Sequence, residues 1–313
     1  MCGIIGIISN NDVVSCLIDG LKRLEYRGYD SAGIAVKSDS EGMPILRSRA
    51  KGKIVNLERA VKEESPKGCI GIGHTRWATH GSPTIINAHP HTSKNIAVVH
   101  NGIIENFLEI RTELEEEGVQ FVTETDTEVI PNLLQKFIGQ GMSPKDAMLE
   151  AVGVLKGAFA IGAIFSGESD VLVVAKQGSP LAIGYGDGEM YIASDALALS
   201  HMTKKISYLE DGDIGVLTIN DAILYDISGN EVEREILDVK VEDVMVAKEN
   251  YDHYMLKEIY EQPTVIANNL KSCYNPFTGK VELPDFPFKM ENISAINIVA
   301  CGTSFYAGMT AKY

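Results

Sequence analysis

The sequence predicts an α+β protein in which antiparallel sheets are covered by helices, and three observations carry that expectation. Apolar residues fall at helical spacing in some blocks and in short β-like runs in others, without the strand–helix alternation of a doubly wound parallel sheet. Residues 158–219 read almost entirely as strands. Residues 222–233 then form a hairpin-like segment with Gly229-Asn230 at its turn.

The chain opens with an apolar strand, Gly3-Ile4-Ile5-Gly6-Ile7-Ile8. Residues 13–24 follow as a helix with Val14, Leu17, Ile18 and Leu21 on one face, and run into the turn-forming Tyr26-Arg27-Gly28-Tyr29-Asp30. Alternation over 31–36 predicts a strand. Residues 70–74 and 96–100 are short apolar runs expected as buried strands, each stopping at a polar, Gly-containing loop. A helix is expected from Asn106 to a stop at Gly118. A second should begin near Thr125, where Thr125 and Glu128 have capping-box spacing and Pro131 lies early in the helix. A third should begin at Ser143-Pro144, with Ser143 as N-cap and Pro144 in the first helical position. Strands are expected over 159–165, 171–175, 181–184, 190–193 and 215–219.

Character changes near Asp238. Residues 239–254 are polar and acidic, residues 255–270 have the pattern of an amphipathic helix, and the stretch holding Pro276, Pro284 and Pro287 has no periodicity. A domain boundary is therefore placed near residue 240, dividing the chain into 1–240 and 241–313. Ile296-Asn297-Ile298-Val299-Ala300 is a strand candidate leading into Cys301-Gly302-Thr303-Ser304, which is either a phosphate-cradling turn or an ordinary βα turn. The sequence stops at Tyr313. A doubly wound domain is thus expected to begin here without being complete.

Composition narrows the function classes. The 313 residues are 45% apolar and 23% charged, which describes a globular protein of more than one unit. A formal charge of −15 argues against nucleic acid and anionic membranes as partners, because both demand basic patches. Small-molecule chemistry is the better expectation. Cys2, Cys16, Cys69, Cys273 and Cys301 are odd in number and contain no C-x-x-C pair, so neither a disulfide framework nor a zinc ribbon is indicated. No basic leader or long apolar stretch is visible. A cytoplasmic protein, processed by no more than loss of Met1, is expected.

Four positions carry the candidate chemistry. Removal of Met1 would leave Cys2 with a thiol and a free α-amino group on one residue, and an amine of pKa about 7.7–8.0 can serve that thiol as base. The alternative is a small buried residue opening a strand. Arg76, in the loop His74-Thr75-Arg76-Trp77-Ala78-Thr79-His80-Gly81, suits a substrate carboxylate or a surface ion pair. Asn101-Gly102 is either a pair of oxyanion donors or a tight Asn-Gly turn. Asp126 either favours a helix N-terminus or holds an ammonium group. The histidines show neither i, i+4 helical spacing nor Cys partners, so no metal is expected.

Six ordered motifs carry a resemblance: CGIIGI at 2–7, LEYRGYDSAG at 24–33, HTRWATHG at 74–81, NAHPH at 87–91, HNGIIEN at 100–106 and TDTE at 125–128. Together they resemble the class II glutamine amidotransferases. Within these, HYMLKEIYEQP at 253–263 and ACGTS at 300–304 are similar to the start of a sugar isomerase half that takes fructose 6-phosphate. The resemblance implies an αββα N-terminal-nucleophile sandwich of antiparallel sheets, then a linker and the beginning of an α/β sugar isomerase domain.

It also implies roles. Cys2 would attack the amide of L-glutamine, its own α-amino group serving as base and then as acid for the departing ammonia. Asn101 and Gly102 would be the oxyanion donors, Arg76 would bind the α-carboxylate and Asp126 the α-amino group. Trp77, Thr79 and His80 would belong to a loop closing over substrate, with Trp77 gating an ammonia channel. Arg27 would stand behind the nucleophile, and Thr303 and Ser304 would contact the sugar phosphate. No metal or organic cofactor is implied. Fructose 6-phosphate would be a substrate of the complete enzyme only, so this chain alone is expected not to make glucosamine 6-phosphate. A homodimer is a further partner that the resemblance allows. The competing reading is a non-catalytic module that binds glutamine or a protein partner.

Overall fold

Strand β1 (Gly3–Ser9) organises the molecule, because its side chains alternate between two cores: Ile5 and Ile7 enter one, Ile4 and Ile8 the other. The computed structural model describes residues 2–38, 42, 44–167, 170–239, 251–275, 280–281 and 292–312. After β1 come α1 (Val14–Arg23), β2 (Ser31–Lys37), β3 (Ile45–Lys51), α2 (Ile54–Glu64), β4 (Ile70–Arg76), β5 (His91–Ser93) and β6 (Ile96–Ile104). Three helices follow: α3 (Phe107–Glu116), α4 (Val129–Gly139) and α5 (Pro144–Val154). A run of strands completes this part: β7 (Gly157–Phe165), β8 (Leu172–Gln177), β9 (Ala182–Tyr185), β10 (Glu189–Ala193), β11 (Lys205–Tyr208), β12 (Ile214–Leu217), β13 (Ala222–Tyr225), β14 (Glu231–Val232) and β15 (Leu237–Asp238).

The strands form two sheets, and every pairing between named strands is antiparallel. One has the order β15-β11-β9-β10-β1-β4-β2-β3, the other β14-β13-β12-β8-β7-β6-β5. Their facing sides bury an aliphatic layer that includes Ile4, Ile8, Ile72, Val99, Ile164 and Leu172. The outer side of the first sheet packs on α1 and α2 through Leu17, Leu21, Ile54 and Leu57. That of the second packs on α3, α4 and α5 through Ile110, Leu134 and Met148. The result is the expected αββα sandwich. Each fully buried aliphatic side chain contributes about 1.5–3 kcal/mol, so the alternation of β1, β6 and β8 fixes which face points inward.

Several local expectations hold for local reasons. Ser143 accepts a hydrogen bond from the Asp146 N–H at 3.2 Å, with Pro144 behind it, and so caps α5 as its sequence suggests. The Thr125–Glu128 capping box does not form. Thr125 makes no side-chain cap, and the Glu128 carboxylate instead accepts the N–H groups of Val122 and Thr123 and the Thr123 hydroxyl. Strand β6 does not stop at His100 but runs through Asn101 and Gly102, pairing along its whole length with β7.

Contacts divide the chain into two compact units, Met1–Val246 and Ala247–Tyr313. The boundary near 240 and most of the proline-containing stretch lie outside the described residues. The second unit contains α6 (Tyr254–Cys273), the short pair β16 (Tyr274–Asn275) and β17 (Lys280–Val281), and α7 (Gly302–Ala311). The strand expected at 296–300 is not formed: among the described residues no strand pairs with it, and Val299 is 95% exposed. Among the described residues no helix is long and apolar enough to cross a membrane.

Candidate active site

Strand alternation gathers the site at one end of the inter-sheet layer. In β4, Ile70 and Ile72 face the second sheet, and His74 and Arg76 continue that face. In β6, Ala97 and Val99 do the same, and Asn101 follows them. Cys2 lies just before β1, on the Ile4 side of the alternation. Three strands from two sheets thus converge on it.

The Cys2 thiol sits against the chain that leaves β4. Its Sγ accepts the Trp77 N–H at 3.1 Å and lies 3.4 Å from the Trp77 carbonyl. Burial pushes the thiol up from its ordinary value, opposed by the Trp77 N–H and by the nearby Arg76 guanidinium. A thiol held neutral in this way needs a base before it can attack. Asn101 donates from Nδ2 to the Cys2 carbonyl at 3.2 Å. Gly102 is required by its backbone: φ is 133°, and a Cβ would stand 1.9 Å from the Ala158 carbonyl oxygen.

Arg76 is buried, not a surface ion-pair residue. Its guanidinium donates to the carbonyls of His80, of Gly81 at 3.0 Å and of Ser82 at 3.2 Å, folding the following loop around itself. Asp30 lies 3.8 Å away and accepts the Ala78 N–H, clamping the same loop from the other side. Asp126 is buried and accepts the Ile104 N–H at 2.9 Å. A narrow pocket joins these groups: Cys2, Arg76, Trp77, Thr79, His80, Gly102 and Asp126 line it, with His89, His100, Thr125 and Thr127. A second, more open hollow shares Cys2, Trp77, Thr79 and Gly102 and adds Arg27, Asn101, Ile103, Ser179 and Pro180. Trp77 is 55% exposed and its ring lies over Gly28, where a Cβ would come within 2.5 Å. Arg27 donates to Ser194 Oγ at 3.1 Å, the same oxygen that accepts the Ile4 N–H at 3.0 Å.

Thr303 and Ser304 belong to the second unit. They occupy the first turn of α7, and both are exposed.

Sequence reasoning passed over a buried histidine layer under the pocket. His74 stacks on His89 with ring centres 4.0 Å apart, and His89 meets His91 edge to face at 4.5 Å. Thr127 Oγ1 joins His89 Nε2 at 3.1 Å to His100 Nδ1 at 2.9 Å, and Thr125 Oγ1 lies 3.2 Å from His91 Nε2. Burial lowers all four imidazoles, His74 to about 3 and His100 to about 4, so they are neutral bases. The signal available in sequence was the recurrence of His in HTRWATHG, NAHPH and HNGIIEN and of Thr in TDTE, which only the fold brings together. Among the described residues no group of three or more His, Cys, Asp or Glu could hold a metal ion.

A half-buried cysteine beside the N-terminus, facing an amide donor across an antiparallel αββα sandwich, defines a class: residues 79–201 match the glutamine amidotransferase domain, and the first unit has the N-terminal-nucleophile fold of solved amidotransferases. The particular relatives are glutamine–fructose-6-phosphate aminotransferases (isomerizing). That of Bradyrhizobium diazoefficiens is 53% identical and that of Zymomonas mobilis 51%, each match covering 100% of this chain and 51% of the relative. The chain thus spans about half the length of the curated relatives it matches. Among solved structures, the Bacillus subtilis glutamine phosphoribosylpyrophosphate amidotransferase superposes with a TM-score of 0.63 at 26% identity, over 74% of this chain and 50% of that one. A structure described as the allosteric regulatory enzyme of purine biosynthesis gives 0.62 at 28% identity, over 73% and 50%.

Proposed function

We propose that residues 1–240 hydrolyse L-glutamine to glutamate and ammonia through a γ-glutamyl thioester on Cys2. The single observation that carries this reading is the place of Cys2, which lines both the pocket that holds the buried Arg76 and Asp126 and the adjoining hollow that holds Asn101. Loss of Met1 exposes an α-amino group beside the thiol. That amine takes the thiol proton, Sγ adds to the amide carbon, and the oxyanion is met by Asn101 Nδ2 and the Gly102 N–H. The tetrahedral intermediate collapses, the ammonium-bearing N-terminus protonates the leaving nitrogen, and water then releases glutamate from the thioester. Arg76 binds the α-carboxylate and Asp126 the α-ammonium. Trp77, Thr79 and His80 close over the substrate, and Arg27 supports the wall behind Cys2.

Residues 241–313 are, in this reading, a linker and the start of a sugar isomerase domain in which Thr303 and Ser304 contact a sugar phosphate. The protein of which this chain is the amidotransferase half would pass ammonia to fructose 6-phosphate, giving glucosamine 6-phosphate. The test is the intact mass of the purified chain together with glutamate release. Loss of Met1, hydrolysis of glutamine, its abolition by Cys2→Ala and labelling of Cys2 alone by an electrophilic glutamine analogue are the expected results. Activity surviving Cys2→Ala, or labelling at Cys16 or Cys69, would overturn the mechanism.

A further inference from the structure

We propose that His74 is a positioning residue for glutamine hydrolysis: it sets the orientation of the Asn101 side-chain amide, so that nitrogen and not oxygen faces the nucleophile. The inference rests on the glutaminase reading above and gives one of the buried imidazoles a role in it.

His74 and Asn101 lie on different sheets, in β4 and β6, and their bond crosses the sandwich at the site. His74 Nε2 is 2.9 Å from Asn101 Oδ1 and 3.0 Å from the His100 carbonyl oxygen. A carbonyl can only accept, so the proton must sit on Nε2. With Nε2–H as donor, Asn101 presents Oδ1 to His74 and keeps Nδ2 for the Cys2 carbonyl at 3.2 Å. Turning the amide over would set its N–H groups against the imidazole N–H and its oxygen against the Cys2 carbonyl. Both contacts would then be repulsive.

A side-chain amide has two nearly isosteric orientations, of which only one can stabilise an oxyanion. The imidazole removes that ambiguity. The ring itself is held by its stack on His89 and is 1% exposed, while among the described residues its Nδ1 has no hydrogen-bond partner that would pull the proton there. Burial keeps it neutral, which leaves one proton and one possible tautomer.

The role is separable from a structural one by kinetics and by spectroscopy. His74→Leu should lower kcat for glutamine hydrolysis at least about tenfold with KM changed less than about threefold, because an oxyanion donor acts chiefly in the transition state. His74→Gln, whose amide nitrogen can stand where Nε2 stood, should recover activity to within about threefold of the parent. In an Asn101→Ala background, His74→Leu should cost less than about twofold, since nothing remains to be oriented. Equal losses in both backgrounds, or a Gln variant no better than Leu, would overturn the proposal. A measurement on the unaltered chain guards against variants that fail to fold. Nitrogen NMR of histidine-labelled protein near neutral pH, with the His74 signals assigned by their loss in His74→Gln, should show the Nε2–H tautomer. An Nδ1–H tautomer would refute the proposal even if glutamine is hydrolysed. Failure of the wild-type chain to hydrolyse glutamine would instead refute the glutaminase reading, while the tautomer would still report on the orienting bond.

Discussion

Acidification should unfold the first unit well above the carboxylate range, because four imidazoles are buried there as neutral bases. His74 is held at about 3 and His100 at about 4, and His89 and His91 are also well below their ordinary value. Arg47, Arg49 and Arg76 oppose a proton on His91, and Arg76 opposes one on His74 and His89; Asp126 pulls the other way only at His100. The unfolded chain therefore binds more protons than the folded one below about pH 6.5, so stability falls as pH falls and continues to fall until the folded histidines themselves protonate. At about pH 5.5 each free imidazole gains about 1.4 kcal/mol from protonation that its folded counterpart does not. For four residues the loss is about 5.5 kcal/mol, comparable with the whole stability of many domains. Trp77 is the only tryptophan, and its fluorescence reports this unit. Urea titrations at about pH 7.5 and 5.5 should differ in midpoint by about 2 M, taking a slope of about 2.5 kcal/mol per M. His91→Gln should shrink that difference by about a quarter. Midpoints that agree within about 0.3 M at unchanged slope would refute the reasoning.

Arg76→Ala and Asp126→Ala should each weaken glutamine capture, read as KM or analogue affinity, by about 2–5 kcal/mol, since each leaves a substrate charge in the pocket without its counter-charge. Asn101→Ala should instead reduce kcat by roughly a hundredfold with KM nearly constant, so equal KM losses in all three variants would contradict the assigned roles. Gly102→Ala combines φ of 133° with a Cβ 1.9 Å from the Ala158 carbonyl oxygen. It should cost about 2 kcal/mol or more in thermal unfolding and abolish hydrolysis, and an unchanged melting temperature would show that β6 does not require this backbone.

What sequence alone determined were the features set by neighbours along the chain. The alternation in β1 and the 3.6-residue period of α1 place side chains on faces without help from elsewhere, and the Ser143-Pro144 start of α5 is a local hydrogen bond plus a preset φ. The six motifs also put forward Cys2, Arg76 and Asp126 as candidates, and the structure brings these three into one pocket. Tertiary structure decided what those segments do to one another. Asn101-Gly102 looks like a tight turn in isolation, but ladder bonds to β7 outweigh that preference and draw it into β6. Glu128 has capping-box spacing from Thr125, yet the N–H groups of Val122 and Thr123 take its carboxylate first. Residues 296–300 have strand composition but, among the described residues, no neighbouring strand to satisfy their backbone. The four histidines are scattered over 27 positions from His74 to His100, and read singly His74 and His100 end strands while His89 and His91 bond to loops. Only closure of two sheets against each other removes their water, fixes the His74 proton and turns the Asn101 amide toward Cys2.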